Sequence, residues 1–271
     1  MPAVVVIGGL FCYPFIYGLG LSLQPLKGGG MFADYRRFWS DPFFRDTTWI
    51  TLKLGLPAAL INVAASVPVA YKLRRPFRGK RTLTAILVVP ITLGTVLTAE
   101  GLLDFLGTSG WFNRILINAH VISQPLTLVH NYWGVLASLV ITGFPFAFLL
   151  TLSYLSGIDP SLEQAAATLG ADWKARVRHI TMPLLVPGLA ITFCLSFVLA
   201  FSVFPSAQLV GDPTGTTHVM SVEAYRQAFE QYDFPMGSAL AMVMAAVMLV
   251  VVSIVMAVRT LFYRGATGGK G

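Results

Sequence analysis

Residues 161–183 read SLEQAAATLGADWKARVRHITMP, a polar, small-residue island between two apolar stretches that are each long enough to cross a bilayer. Just upstream, Asp159 and Pro160 form a helix start, Asp as N-cap and Pro at the first helical position; alternatively Ser161 caps with Gln164 three residues on. Leu162, Ala165, Ala166 and Leu169 then fall at i, i+3, i+4 and i+7, one narrow face whose alanines let another backbone approach closely. Gly170 is placed to end that helix, because glycine takes the left-handed conformation without penalty. Asp172 can cap a second helix, WKARVRHI, in which Trp173, Val177 and Ile180 lie four and three apart, and Pro183 marks entry to the next apolar run. The spacing predicts a short helical hairpin with a docking face. A helix lying on lipid is the alternative, but an alanine face is weak for a membrane anchor.

The rest of the chain supplies the membrane. Of its 271 residues 55% are apolar and only 11% charged, against about 25% charged in soluble domains. A hydrocarbon core of about 30 Å takes roughly 20 apolar residues in a helix, and about six stretches qualify: 2–23, 50–71, 83–103, 132–155, 184–207 and 236–259. The first has no basic leader segment or small-residue cleavage site and is read as a retained span. The expected fold class is therefore all-α integral membrane, one transmembrane domain over 1–271 with the loop 157–183 projecting from it. The two cysteines, Cys12 and Cys194, fall in separate apolar stretches and support neither a disulfide framework nor a metal site.

A net charge of +7 would suggest nucleic acid in a soluble protein. Here the side of the membrane matters more. Lys72, Arg74, Arg75, Arg78, Lys80 and Arg81 lie between spans two and three, Lys174, Arg176 and Arg178 between four and five, and Arg259, Arg264 and Lys270 at the tail. The opposite side holds Lys27, Arg36, Arg37, Arg45, Arg114 and Arg226. The positive-inside bias then puts both termini and the 157–183 hairpin in the cytoplasm.

On that side, the spacing Q-A-A-x3-G-x9-I-x-M-P from Gln164 through Gly170 and Ile180 to Pro183 resembles the E-A-A-x3-G-x9-I-x-L-P loop of the membrane subunits of binding-protein-dependent ABC importers. Gln164 replaces the glutamate and Met182 the leucine; Glu163 is adjacent but points about 100° away on a helix. The flanking NYWGVLASLVITGFPFAFLLTLSYLSGIDPSLEQAA and MPLLVPGLAITFCLSFVLAF are similar to the family core in order and length. The resemblance implies a type I importer (MetI-like) permease fold. It also implies that Leu162, Glu163, Gln164, Ala165, Ala166, Leu169, Gly170, Trp173, Ile180 and Pro183 form the coupling element that sits in a groove of the ATPase. The implied partners are two ATP-binding subunits, a second homologous permease more in keeping with a heterodimer than a homodimer, and a solute-binding protein, in a bacterial-type inner membrane. ATP and Mg would reside in the partner subunits, with no cofactor on this chain. SLEQAAATLGA followed by MPLLVPGL is more like the permeases for polyamines, ferric iron, thiamine, phosphonates or sulfate, with the polyamine type leading, whereas the loop GDPTGTTHVMSVEAYRQAFEQYDFP is also similar to sugar permeases.

The chemistry that is absent agrees with a passive membrane subunit. No G-x-x-x-x-G-K-[ST] phosphate cradle, H-E-x-x-H pattern or G-x-S-x-G elbow occurs. His120, His130, His179 and His218 are scattered and are read as solvated or interfacial side chains. Glu100 and Asp104, four apart near the outer end of span three, either line a path for a cation or sit in the headgroup layer paired with Lys53. Asn62 and Ser66, four apart in span two, either line the pathway or bond neighbouring helices. In the outer loop, Val222, Tyr225, Phe229 and Tyr232 have helical spacing while Glu223, Glu230 and Asp233 supply acid, which suits the outer interface or a binding-protein contact. A secondary transporter or channel would need coupling-ion residues at mid-membrane, where few ionisable groups occur.

Overall fold

A computed structural model describes residues 6, 8–26, 28–74 and 79–262, and all regular structure among them is helical. The early apolar run is a π-helical turn, Gly8–Cys12, leading into α1 (Tyr13–Ser22). The remaining expected residues of the 2–23 span, 2–5 and 7, lie outside the described ones. Five later helices are long and apolar enough to cross a membrane.

Each of these begins or bends where local chemistry requires. α2 (Ala33–Ser40) precedes α3 (Pro42–Leu73), which starts eight residues before the expected span because the Asp41 side chain accepts from Phe43 N (2.9 Å) and Pro42 occupies the first turn. α4 (Lys80–Leu106) is broken at Gly94, whose φ of 74° only glycine adopts without strain. The break lies one turn after Pro90, which cannot donate to the helix ladder, and just beyond it the Gly94 carbonyl accepts from Thr98 Oγ1 at 2.7 Å. α5 (Trp111–Asn118) is a short surface helix. α6 (Tyr132–Ser156) is capped by Asn131, which accepts from Gly134 N at 2.9 Å.

The hairpin follows as α7 (Pro160–Thr168) and α8 (Trp173–Arg176). α8 is not the separate helix that the sequence suggested. It runs through a π-helical turn, Val177–Thr181, straight into α9 (Met182–Phe201), so that Trp173–Phe201 forms one helical rod of 29 residues. Pro183 does not break the rod because the wider turn re-routes the ladder, with Met182 N–H reaching back to Val177 O. At its other end α9 stops at Phe201, short of the expected 207, since Pro205 opens α10 (Pro205–Leu209). α11 (Met220–Tyr225) continues as a π-helical turn, Arg226–Glu230, and α12 (Phe234–Phe262) closes the described chain.

α3, α6 and α9 make the centre. In each, 44% of the most apolar window is buried within the chain, against 6% for the corresponding windows around α4 and in α12, which therefore stand at the periphery. Leu54 and Ala58 of α3, Val135 and Leu139 of α6 and Ala200 of α9 pack together. Lower in the bundle Leu73, Phe148, Leu155 and Leu185 form a second cluster. Close approach needs small residues. A Cβ at Gly188 of α9 would lie 2.5 Å from the Tyr154 ring of α6, and one at Gly143 would lie 2.4 Å from Asn62 Nδ2. Buried polar groups bridge the helices where lipid could not satisfy them: Ser66 bonds Thr151 at 2.7 Å, and Ser138 donates to Ser206 at 2.8 Å.

Candidate functional site: the helical hairpin and the groove above it

The hairpin is a capped unit. The Asp159 side chain accepts from Ser161 N (2.9 Å), so Asp159 rather than Ser161 is the N-cap, and Asp172 accepts from Ala175 N (2.8 Å) to start α8. The hydrogen bonds to the Asp159 carboxyl, chiefly from the Ser161 backbone, hold it below its ordinary range. Between the helices, Gly170 sits at φ 83°. Its N–H bonds Ala167 O at 3.0 Å while Ala171 N–H bonds Ala166 O at 3.0 Å, the paired closure of a Schellman motif.

Outward-facing side chains crowd the apex. Leu169 is 88% exposed, Trp173 53% and Leu162 45%. Gln164 and Ala165 are also exposed, and Ala166 is half-buried. Apolar groups this exposed lose free energy unless something covers them. Ile180 is half-buried inside the π-helical turn and Pro183 lies on the exposed side of the first turn of α9.

Inward, Glu163 is the one buried residue of α7. Thr181 Oγ1 donates to its Oε1 at 2.5 Å, Arg74 Nη2 lies 2.9 Å from Oε2, and Tyr71 OH donates to Oε2 at 3.3 Å. The Arg74 guanidinium also covers the Tyr71 ring at 5.3 Å, and that ring meets Trp173 edge-on at 6.2 Å. Burial alone would raise the Glu163 carboxyl; the Thr181 hydrogen bond, the Arg74 charge and the Tyr71 hydroxyl outweigh it and keep the group below its ordinary value. The helical phase correctly turned Glu163 away from Gln164. What the sequence did not show was its partners, which lie on α3 and at the start of the α9 rod.

Above this cluster opens an apolar groove of about 800 Å³ between α3 and α9, lined among others by Leu60, Ala64, Val67, Tyr71, Trp173 and Met182. Asn62 and Ser66 do not face it. Both are fully buried, with Asn62 Nδ2 donating to Leu139 O at 3.3 Å and Ser66 bonded to Thr151, so in this conformation they join α3 to α6. Glu100 and Asp104 are exposed on α4. Among the described residues no ion pair joins either to Lys53, and Asp104 borders a separate cavity of about 580 Å³ with His130 and Asn131.

Two expectations at the opposite end of the bundle need correction. His218 is buried, not solvated, and pairs with Glu223, while Asp233 pairs with Arg37 at 3.8 Å. Those two acids are therefore engaged internally. Tyr232 leaves the helix that was expected to carry it, because it takes φ 57° two residues beyond the π-helical turn.

The site is thus a helical hairpin held against two spans of a membrane bundle, with an apolar groove between those spans. The chain belongs to the binding-protein-dependent transport system inner membrane component family, whose sequence model matches residues 30–267. It is a type I ABC importer membrane subunit. Among its relatives, a probable sulfate transport system permease protein cysT of Prototheca wickerhamii is 27% identical over 83% of this chain and 86% of that one. The spermidine/putrescine transport system permease protein PotB of Escherichia coli (strain K12) is 27% identical over 77% of this chain and 75% of that one. The fold superposes on a bacterial ABC transporter involved in import of the acidic polysaccharide alginate, with a TM-score of 0.79, 19% identity, and coverage of 98% of this chain and 94% of the other. It also resembles the MetNI methionine ABC transporter, with a TM-score of 0.64, 15% identity, and coverage of 79% and 93%.

Proposed function

We propose that this chain forms part of the pathway by which a small cationic solute of the polyamine type, delivered by a solute-binding protein, crosses an inner membrane, driven by ATP hydrolysis in separate subunits. The observation that carries the mechanism is the hairpin apex, where Leu162, Leu169 and Trp173 stand exposed on a unit fixed by two caps and a Schellman closure. Such a surface fits a groove on an ATP-binding subunit, and the partner complex has two of these with a second, homologous permease. ATP and Mg belong to those subunits. Both termini and the hairpin face the cytoplasm in this reading, supported by the twelve basic residues on that side against six on the other.

Sulfate is the second substrate reading, favoured by the cysT relative that aligns over 83% of the chain. Copurification of the ATP-binding subunits with this chain tests the assembly. Calorimetric titration of the cognate solute-binding protein with spermidine, putrescine and sulfate separates the substrates, and tight sulfate binding with no response to either amine would overturn the polyamine reading.

A further inference from the structure

We propose that Glu163 is a positioning residue, the strut through which movement of the hairpin reaches both walls of the groove. The inference rests on the reading above, in which the hairpin docks on an ATP-binding subunit. α7 turns its apolar side chains outward, and Glu163 is its only buried residue. Apart from its chain ends, α7 is therefore tied to the bundle mainly by one carboxylate. Its two oxygens go to different helices: Oε1 accepts from Thr181, within the α9 rod, and Oε2 meets Arg74 and Tyr71 at the end of α3.

These same helices wall the groove. Tyr71, Trp173 and Thr181 line it directly, so a displacement of Glu163 acts at its mouth. Because Trp173–Phe201 is one helical rod, a push at Thr181 moves the whole of α9 rather than bending a loop. Arg74 Nη1 is buried and has no hydrogen-bond partner among the described residues, and among them Glu163 and the Tyr71 ring hold the guanidinium. The carboxylate thus has two fixed attachments in a partly dehydrated setting, where charge-assisted bonds are short and directional. A contact of this kind transmits displacement better than a sliding apolar face does.

The test uses the complete transporter in lipid nanodiscs, with Ala64→Cys as reporter in a Cys12→Ser, Cys194→Ala background; Ala64 is exposed in the groove. The rate of modification by a fluorescent maleimide is compared without nucleotide and after trapping with ATP and vanadate. Glu163 is buried beneath the exposed apex and is not part of the docking surface, so Glu163→Gln should shrink the vanadate-dependent change about fivefold or more, the lower end of ordinary coupling factors, while ATP-binding subunits still copurify and hydrolyse ATP. A residue that merely braces the fold would lower capture, hydrolysis and response together in both Glu163→Gln and Thr181→Val, and that pattern would overturn the proposal. Thr181→Val, which removes one donor and leaves the Arg74 pair, should give a partial loss and decides the matter if Glu163→Gln fails to assemble. An undiminished response in Thr181→Val, or in an assembled Glu163→Gln, would also overturn it. If the wild-type chain captures no ATP-binding subunit, the docking reading fails and the strut falls with it.

Discussion

His218 Nε2 lies 2.7 Å from Glu223 Oε2, while its Nδ1 contacts the Pro213 carbonyl. A carbonyl can only accept, so Nδ1 donates to Pro213, and a protonated ring lets Nε2 donate to Glu223 as well. Burial opposes that charge, but the hydrogen bonds to Glu223 and Pro213 and the charge of Glu223 outweigh it and raise the group above its ordinary 6.5, with Arg226 acting weakly the other way. Glu223 is held on its other oxygen by Gln227 Nε2 at 2.6 Å, and the Phe43 ring covers the imidazole at 4.9 Å. The pair ties α11 to the start of α3.

The sign of the pH effect follows from the raised value. Stability from a protonated His218 is fully present below its ordinary pKa and is lost as pH rises through the raised one. Melting of the detergent-solubilised protein should therefore fall as pH rises above the ordinary imidazole value of 6.5 and through the raised one, and His218→Gln should flatten that part of the profile. An identical slope in the variant would assign the pH dependence to other groups.

Much of the fold is legible because bilayer crossing leaves a coarse mark. Apolar length located the later spans, and Asp159-Pro160 and Asp172 begin helices by local chemistry, whereas the Asp41-Pro42 start of α3 was missed. Gly170 likewise takes the left-handed conformation that its position required. What escaped was long-range pairing. Helical phase could turn Glu163 off the exposed face but could not say that it meets Tyr71, 92 residues away. The continuity from Trp173 to Phe201 escaped for a different reason: Pro183 does open α9 in its first turn, but the wider π-helical turn before it lets the rod run on.

The α6–α9 contact gives a packing prediction. Because a Cβ on Gly188 would press on Cγ and both Cδ atoms of Tyr154, Gly188→Ala forces the ring or the helix to shift. The cost should be about 1–3 kcal/mol, as for other overpacked sites. Tyr154→Ala in the same chain should recover part of it. A thermal melt of the two single variants and the double variant measures the coupling, and strict additivity would show that the ring is not the obstacle.

On α4, Glu100 and Asp104 are exposed one turn apart, and Asp104 borders a cavity. If they attract a cationic solute, Glu100→Gln with Asp104→Asn should lower uptake of labelled spermidine into proteoliposomes several-fold at low salt and less at high salt, with assembly intact. Equal uptake at both ionic strengths would leave the two carboxylates as headgroup-layer residues.

The hairpin apex yields the sharpest test of docking. Leu169, at 88% exposure, contributes almost nothing to the fold of the isolated chain, so Leu169→Asp should leave its melting temperature unchanged. In a docked complex the same change buries a carboxylate against an apolar groove, which is costly without a partner. Capture of ATP-binding subunits should then fall by about tenfold or more, for a loss of about 1.4 kcal/mol. Gly170→Val acts differently. It puts a β-branched residue at φ 83°, where strain costs about 1–3 kcal/mol, and nothing lies within 4 Å of the new Cβ to clash. The strain should loosen the Schellman closure and misalign α7 against α8, lowering capture together with local stability of the hairpin, visible as faster amide exchange at Ala171. Ala166→Trp, on the same narrow face, should block docking by bulk alone, and Gln164→Glu should be tolerated. Pull-down and binding-protein-stimulated ATP hydrolysis read all four variants; full capture and full stimulation by Leu169→Asp and Ala166→Trp would show that the ATP-binding subunit engages some other surface.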